Sequence, residues 1–278
     1  MLVNDTDAME FEALPVSPRG MYTSRKLLRE AEVLPGMGIY ALIAKFHEGE
    51  KLFTAPRHKH NFEQIRLVLS GRMDFGPGTV CDAGQVAYFP AGAAYGPERI
   101  EGGEQLLLQW GRDWVTHAQN QRAMRALEKT GEFRLGKYTY VDENGRPQEK
   151  DGSQAVWEHV YGRTQIFVEP RYEAPVKMNP AAFNWVKGDG FSIKVMGRFT
   201  ENDVSFSMLR WDGVDVVHRL ESDRTWLIFV SSGVVAIEGR RCGRHSAIWS
   251  DFGEAHDLVG ETGTEVICIG FPVDRDLA

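Results

Sequence analysis

Several features are scarce or missing in these 278 residues, and each absence narrows the function. Cysteine is rare: Cys81, Cys242 and Cys268 are odd in number and widely spaced. Such a set offers no disulfide framework and points to a reducing compartment, so a cytoplasmic setting is expected. A basic excess is also missing, with 32 Lys and Arg against 39 Asp and Glu and a formal net charge of −7. Nucleic acid and anionic membrane both reward a basic surface, so neither is expected as a partner. No apolar run approaches the roughly 18 to 20 residues needed to span a bilayer. The opening MLVNDTDAMEFEALPVSPRG carries early acidic residues and no apolar segment, and does not read as a secretory signal. There is no G-x-S-x-G, no phosphate-cradling glycine loop and no C-x-x-C.

What is present is repetition. Short β-rich runs punctuated by Gly, Pro and Asp fill two regions, roughly 38–111 and 190–273. EQIRLVLSGRMDFG matches TWLIFVSSGVVAIEG, each a strand, a Gly turn and a second strand. GQVAYFPAGAAYGPE matches RHSAIWSDFGEAHDL, and EQLLLQWG matches EVICIGFP. The landmarks keep step: Gly71 to Gly92 is 21 residues and Gly233 to Gly253 is 20, while Gly92 to Glu104 and Gly253 to Glu265 are both 12. An all-β protein of two duplicated antiparallel barrels follows. The expected division is an N-terminal segment with the first barrel over 1–111, a connector over 112–189 and the second barrel over 190–278. In the connector, RDWVTHAQNQRAMRALEKTG has helical spacing and a stop at Gly131. DENGRPQEKDGSQ reads as an exposed loop and QAVWEHVYGR as a short second helix.

Chemistry concentrates in PRHKHNFEQIRLVLSG. On a strand, side chains two apart share a face, so His58 and His60 project together about 7 Å apart at the backbone. They can converge on one divalent ion. In an unbroken strand the same parity selects Gln64 rather than Glu63 as a third ligand, its amide oxygen suiting a hard or borderline cation. Arg66 follows on the same face, with Ile65, Leu67 and Leu69 opposite. A buried guanidinium needs a partner. Arg66 therefore anchors a substrate carboxylate or enolate, or forms an internal ion pair with Glu98 or Asp74.

These residues resemble the cupin superfamily, whose motifs are G-x5-H-x-H-x3,4-E-x6-G and G-x5-P-x-G-x2-H-x3-N. His58, His60, Gln64 and Gly71 match the spacing of the first, and Gly84, Pro90, Gly92 and Tyr95 that of the second. The resemblance covers both repeats and implies a bicupin, with two jelly-roll barrels and one divalent ion (Fe, Mn, Ni or Zn) inside a barrel. Gln64 stands where the family has Glu, and Tyr95 where it has His. Tyr95 then ligates the ion, hydrogen-bonds a metal-bound water or closes the pocket.

In the second repeat the positions of His58, His60 and Gln64 fall on Leu220, Ser222 and Trp226, so that barrel is expected to be metal-free. His256 keeps the second-motif His position and reads as a hydrogen-bonded residue, the alternative being a shifted site of His218, Glu221 and His256. The resemblance implies a metal-dependent enzyme for a small, anionic organic substrate. Dioxygenase-type oxidation leads, followed by non-oxidative isomerase, lyase or cyclase chemistry, and then by a non-catalytic small-molecule-binding protein. Tyr95 and Glu98 are the expected proton-transfer groups, Arg66 and Tyr88 the expected substrate contacts, and a homodimer the expected assembly.

Overall fold

The computed structural model describes residues 1–13, 23–34, 36–48, 53–199 and 203–271. Strands dominate, and the chain divides into two compact units, Phe11–Met178 and Met1–Glu10 with Asn179–Ala278. Each contains a seven-stranded and a four-stranded antiparallel sheet. The all-β, two-barrel reading of the duplicated sequence is what the fold shows.

In the N-terminal unit the large sheet runs Val176–Met178, Val86–Phe89, Glu63–Ser70, Gly103–Arg112, Met37–Phe46, Thr23–Leu34 and Glu12–Ala13. The central strand, EQIRLVLS, is buried over its first six residues, so both of its faces are covered. One face carries Ile65 and Leu67 beside Leu106, Leu108 and Trp110. The other turns toward a smaller sheet of Phe53–Ala55, Glu98–Ile100, Arg72–Asp74 and Val80–Asp82. Between the sheets lie Phe46, Met73, Phe75, Phe89 and Ile100.

The second unit repeats this plan around the Thr225–Ser232 strand, with Glu265–Phe271 and Ala247–Ser250 at its sides. Its interior is hydrocarbon: Leu209, Trp211, Ile228, Val230, Ile248 and Val266 pack together. The division differs at its boundaries from the one expected. Leu2–Asn4 pairs with Ala247–Ser250, which assigns residues 1–10 to the second unit. Val176–Met178 pairs with Val86–Phe89, which keeps 112–178 with the first. Strand hydrogen bonds between segments remote in sequence decide both.

Two helices form in the connector. α1, His117–Leu127, begins with a capping box in which Thr116 and Gln119 satisfy each other's backbone donors. α2, Gly152–Tyr161, is capped by Asp151 and closed by Gly162 in the left-handed region. They meet through Ala123, Met124 and Val156. The expected loop at 142–154 is half strand. Pro147–Asp151 joins Gly131–Arg134 and Lys137–Val141 in a small sheet, the Asp142 carboxylate bracing the turn by accepting from the Asn144 and Arg146 amides. Among the described residues, no helix is long and apolar enough to cross a membrane.

All three cysteines are buried. Burial pushes the Cys81 thiol up to about 11 and Cys268 to about 12, and raises Cys242 as well. The thiolate is the reactive form. Native protein treated with a disulfide reagent at neutral pH should therefore release no thiol signal until denaturant is added, when all three should react. A cysteine that reacts at once in folded protein would contradict this packing.

Candidate functional site

The interior face of the first barrel is read row by row from the register, since cross-strand partners share a face. One row sets Arg25, Ala44, Gln105 and Val68 side by side. The next is Leu27, Leu42, Leu107, Arg66 and Ala87. The third is Glu30, Tyr40, Gln109, Gln64 and Phe89. Charged and amide side chains thus stand among hydrocarbon in the middle of a barrel.

His58 and His60 reach this interior on an irregular segment rather than a regular strand. His58 exchanges both backbone hydrogen bonds with Tyr95, at 3.0 and 2.9 Å, and Gly92 donates its N–H to the His60 carbonyl at 2.7 Å. Gly92 has φ +78°, and a Cβ there would fall 2.0 Å from the Val168 carbonyl oxygen, so only glycine serves. The imidazoles meet edge to face with centroids 4.9 Å apart. His60 stacks on Phe62 at 4.3 Å, and the His58 ring lies 4.3 Å from that of Tyr95. His58 Nδ1 is 2.7 Å from the Pro56 carbonyl, which can only accept. Nδ1 therefore carries a proton, which in the neutral ring leaves the lone pair on Nε2, a nitrogen that can ligate a metal.

Gln64 behaves differently. Its Oε1 accepts from Arg66 Nη2 at 2.9 Å, Arg66 Nε at 3.2 Å and Gln109 Nε2 at 2.9 Å. Its Nε2 donates to the Tyr95 hydroxyl at 2.8 Å. Because guanidinium only donates, the oxygen must face Arg66. Arg66 also donates to Tyr95 at 3.0 Å and pairs with Glu98 Oε1 at 2.5 Å, both charged side chains being buried. Phe89, Phe75 and Tyr95 surround the guanidinium at 4.6, 4.9 and 5.4 Å. Burial works against its charge, but the Glu98 carboxylate and Tyr95 more than offset this and hold the Arg66 pKa above its usual value. Of the two readings of Arg66, the internal ion pair with Glu98 is the one present.

The structure brings His58, His60, Gln64, Arg66, Tyr95 and Glu98 into one cluster. Tyr88 stands outside it, which corrects its expected place at the substrate. It pairs with Ile65 on the opposite sheet face, is fully buried, and packs on Trp110 and Tyr172. Alternation along Val86–Phe89 turns Phe89 inward and Tyr88 away. Of the expected proton-transfer groups, Glu98 borders the interior cavity, whereas Tyr95 stands behind it.

That cavity has a volume of about 300 Å³ and is bordered by His60, Arg66, Glu98, Gln105 and Gln109, with α1 and α2 contributing Asn120, Gln121 and Val156. Arg25 and Trp114, which sequence reasoning missed, border it too. Arg25 gives no distinct sequence signal, since its strand carries several charges, and only the register shows its face.

As a metal site the donor set fits in part. Two imidazoles stand side by side and can offer nitrogen ligands. The Gln64 oxygen would have to give up three hydrogen bonds to join them, and among the described residues no group of three His, Cys, Asp or Glu gathers anywhere. In this arrangement the Gln64 oxygen is turned to Arg66 and Gln109. In the second unit His256 lies between Glu238 at 2.8 Å and Glu254 at 3.3 Å, while His218 packs against Phe191.

No family model matches the chain, and no curated protein does. Solved structures do. A candidate dioxygenase from Nostoc punctiforme is 13% identical over 99% of this chain and 83% of its own, with a TM-score of 0.61. Oxalate decarboxylase from Bacillus subtilis is 13% identical over 99% and 78%, with a TM-score of 0.56. Protein Ylba from E. coli is 11% identical over 97% and 89%, also at 0.56. At such identities the likeness establishes the architecture: this chain has the two-barrel cupin fold.

Removing one member of a buried ion pair leaves the other uncompensated, at about 3–5 kcal/mol, whereas replacing both by hydrocarbon is often neutral. Urea denaturation should show Arg66→Ala destabilised by about that amount, and Arg66→Met with Glu98→Leu recovering most of the loss. Equal losses in the single and double variants would mean that the pair is not the organising contact.

Proposed function

We propose that the N-terminal barrel is the working unit of an enzyme acting on a small organic anion, with His60 as the cavity-facing chemical group and His58 behind it. The observation that carries this reading is the contrast between equivalent rows of the two repeats. Gln64, Arg66, Gln105 and Gln109 in the first barrel correspond to Trp226, Ile228, Val266 and Gly270 in the second, which hold the same register positions. The fold stands with hydrocarbon at these sites, so the scaffold itself does not require a polar set there.

A divalent ion on His58 and His60 would supply Lewis acidity toward an anionic oxygen of the substrate, or redox chemistry were it iron. The chain's own contribution is better defined. Arg66 and Glu98 hold a fixed dipole against the cavity wall, Gln64 and Tyr95 keep Arg66 in place, and the connector helices cover the cavity. Between the two reaction classes, the commitment of Gln64 to Arg66 favours non-oxidative isomerase, lyase or cyclase chemistry over dioxygenase-type oxidation. An oxygen-activating centre needs a full ligand set with positions left for both dioxygen and substrate. A small molecule as partner, a homodimer as assembly and the cytoplasm as compartment complete the reading.

Metal analysis of protein purified without chelator tests it. We expect iron, manganese, nickel or zinc that is lost in His58→Ala and in His60→Ala and retained in His256→Ala. Oxygen uptake with candidate acids should stay at background while substrate is consumed. Metal lost only in His256→Ala would place the chemistry in the other barrel, and stoichiometric oxygen uptake would restore the dioxygenase reading.

A further inference from the structure

The cavity of the first barrel has an aromatic wall. Tyr40, Phe62 and Trp114 border it together with His60. Their rings run in series: His60 stacks on Phe62 at 4.3 Å, Phe62 meets Trp114 edge to face at 5.5 Å, and Trp114 lies 6.2 Å from Tyr40. All four residues are only half-buried although they stand inside a barrel, and Leu107 and Val115 on the same cavity are half-buried too. The Trp114 Nε1 is itself buried, so the surface that ring presents is carbon.

Two glycines seat these rings. Gly38 and Gly111 are partners across neighbouring strands, one inward-facing row beyond Tyr40 and Gln109. A Cβ at Gly38 would fall 2.2 Å from Trp114 Cγ, and one at Gly111 would fall 2.7 Å from Phe62 Cβ. Neither glycine has a positive φ, so no turn requires them. Glycine inside a strand weakens it and marks a close approach, here that of two rings to the inner face of the sheet. The polar end of the wall is His60. Arg66 and Glu98 border the cavity as well, but they are paired with each other at 2.5 Å, and the Glu98 carboxylate repels an anion. The half-buried imidazole beside Phe62 can instead donate to an anionic oxygen.

We propose that the first barrel selects an aryl acid, with one flat ring set against Phe62, Trp114 and Tyr40 and its anionic oxygen toward His60. The inference rests on the first barrel being the small-anion site and adds the class of anion. A volume of about 300 Å³ lies at the small end of ligand cavities, which suits a single ring with its substituents. An aromatic guest continues the ring contacts of the wall, a gain that a saturated ring of the same size lacks. A ring-free acid leaves the carbon wall facing water. Selectivity therefore ranks aryl acids above cyclohexyl acids, and both above short hydroxy acids.

The test uses the full chain, thermal melting and calorimetric titration. Benzoate and salicylate are the probes, cyclohexanecarboxylate the saturated analogue, malate the ring-free acid and benzyl alcohol the neutral control. Wild type should be stabilised saturably by the aryl acids, less by cyclohexanecarboxylate and least by malate and benzyl alcohol. Phe62→Leu and Trp114→Leu should each weaken benzoate about tenfold or more, and malate far less. Leu107→Phe deletes no ring and fills part of the cavity, so it should melt cooperatively and lose benzoate even if the other two variants fold poorly. His60→Ala should erase the preference for benzoate over benzyl alcohol. The inference is overturned if no aryl acid binds wild type, or if benzoate binds all three ring and cavity variants as tightly as wild type. Malate that outranks benzoate and is lost in His60→Ala would leave the small-anion reading standing and remove this one.

Discussion

Arg66 is the residue around which the first barrel is organised. A guanidinium in the centre of a β-barrel is tolerable only if its charge and its donors are met, and the surroundings do both. Glu98 supplies the countercharge, the Gln64 oxygen takes two N–H groups, the Tyr95 hydroxyl takes another, and aromatic rings occupy the faces. Glu98 lies in the smaller sheet and Tyr95 on the segment before it, so one side chain ties the central strand to the facing sheet. The same contacts set the position of Tyr95, whose backbone holds His58, and so connect the ion pair to the histidines.

This network also sets what the Gln64 amide does. Counting along a strand places its side chain toward the interior, and it is there. Whether its oxygen is available depends on Arg66 beside it and on Gln109 from a strand 45 residues away. Spacing along the chain carries no information about that competition. The outcome is a pair of neighbouring imidazoles beside an amide that is committed to Arg66.

Much of the architecture was legible. Two matched series of glycines and short strands predict duplicated barrels, and alternation along the 63–70 strand separates Arg66 and Gln64 from Ile65 and Leu67 correctly. Motif spacing brings His58, His60, Tyr95 and Glu98 together. Nearness to the second motif does not fix which face Tyr88 takes, and its neighbour Phe89 faces inward instead. Arg25 escaped because the segment Thr23–Leu34 holds charges on both faces, with a register shift between Leu27 and Arg29. Only its pairing with Ala44 shows which face it takes. The unit boundaries escaped for a related reason, since strands added at sheet edges are specified by their partners more than by their own composition.

Duplication supplies an internal control that a single barrel lacks. Two copies of one scaffold share backbone hydrogen bonding and register, and differ in whether the cavity row is Arg25, Ala44 and Gln105 or Ile193, Leu209 and Val266. The account holds that the polar copy exists to hold a ligand. A crystal structure of the protein grown with benzoate examines this most directly. The account predicts ligand density in the first barrel, in the cavity beside His60, and an empty second barrel. Density confined to the second barrel would contradict it.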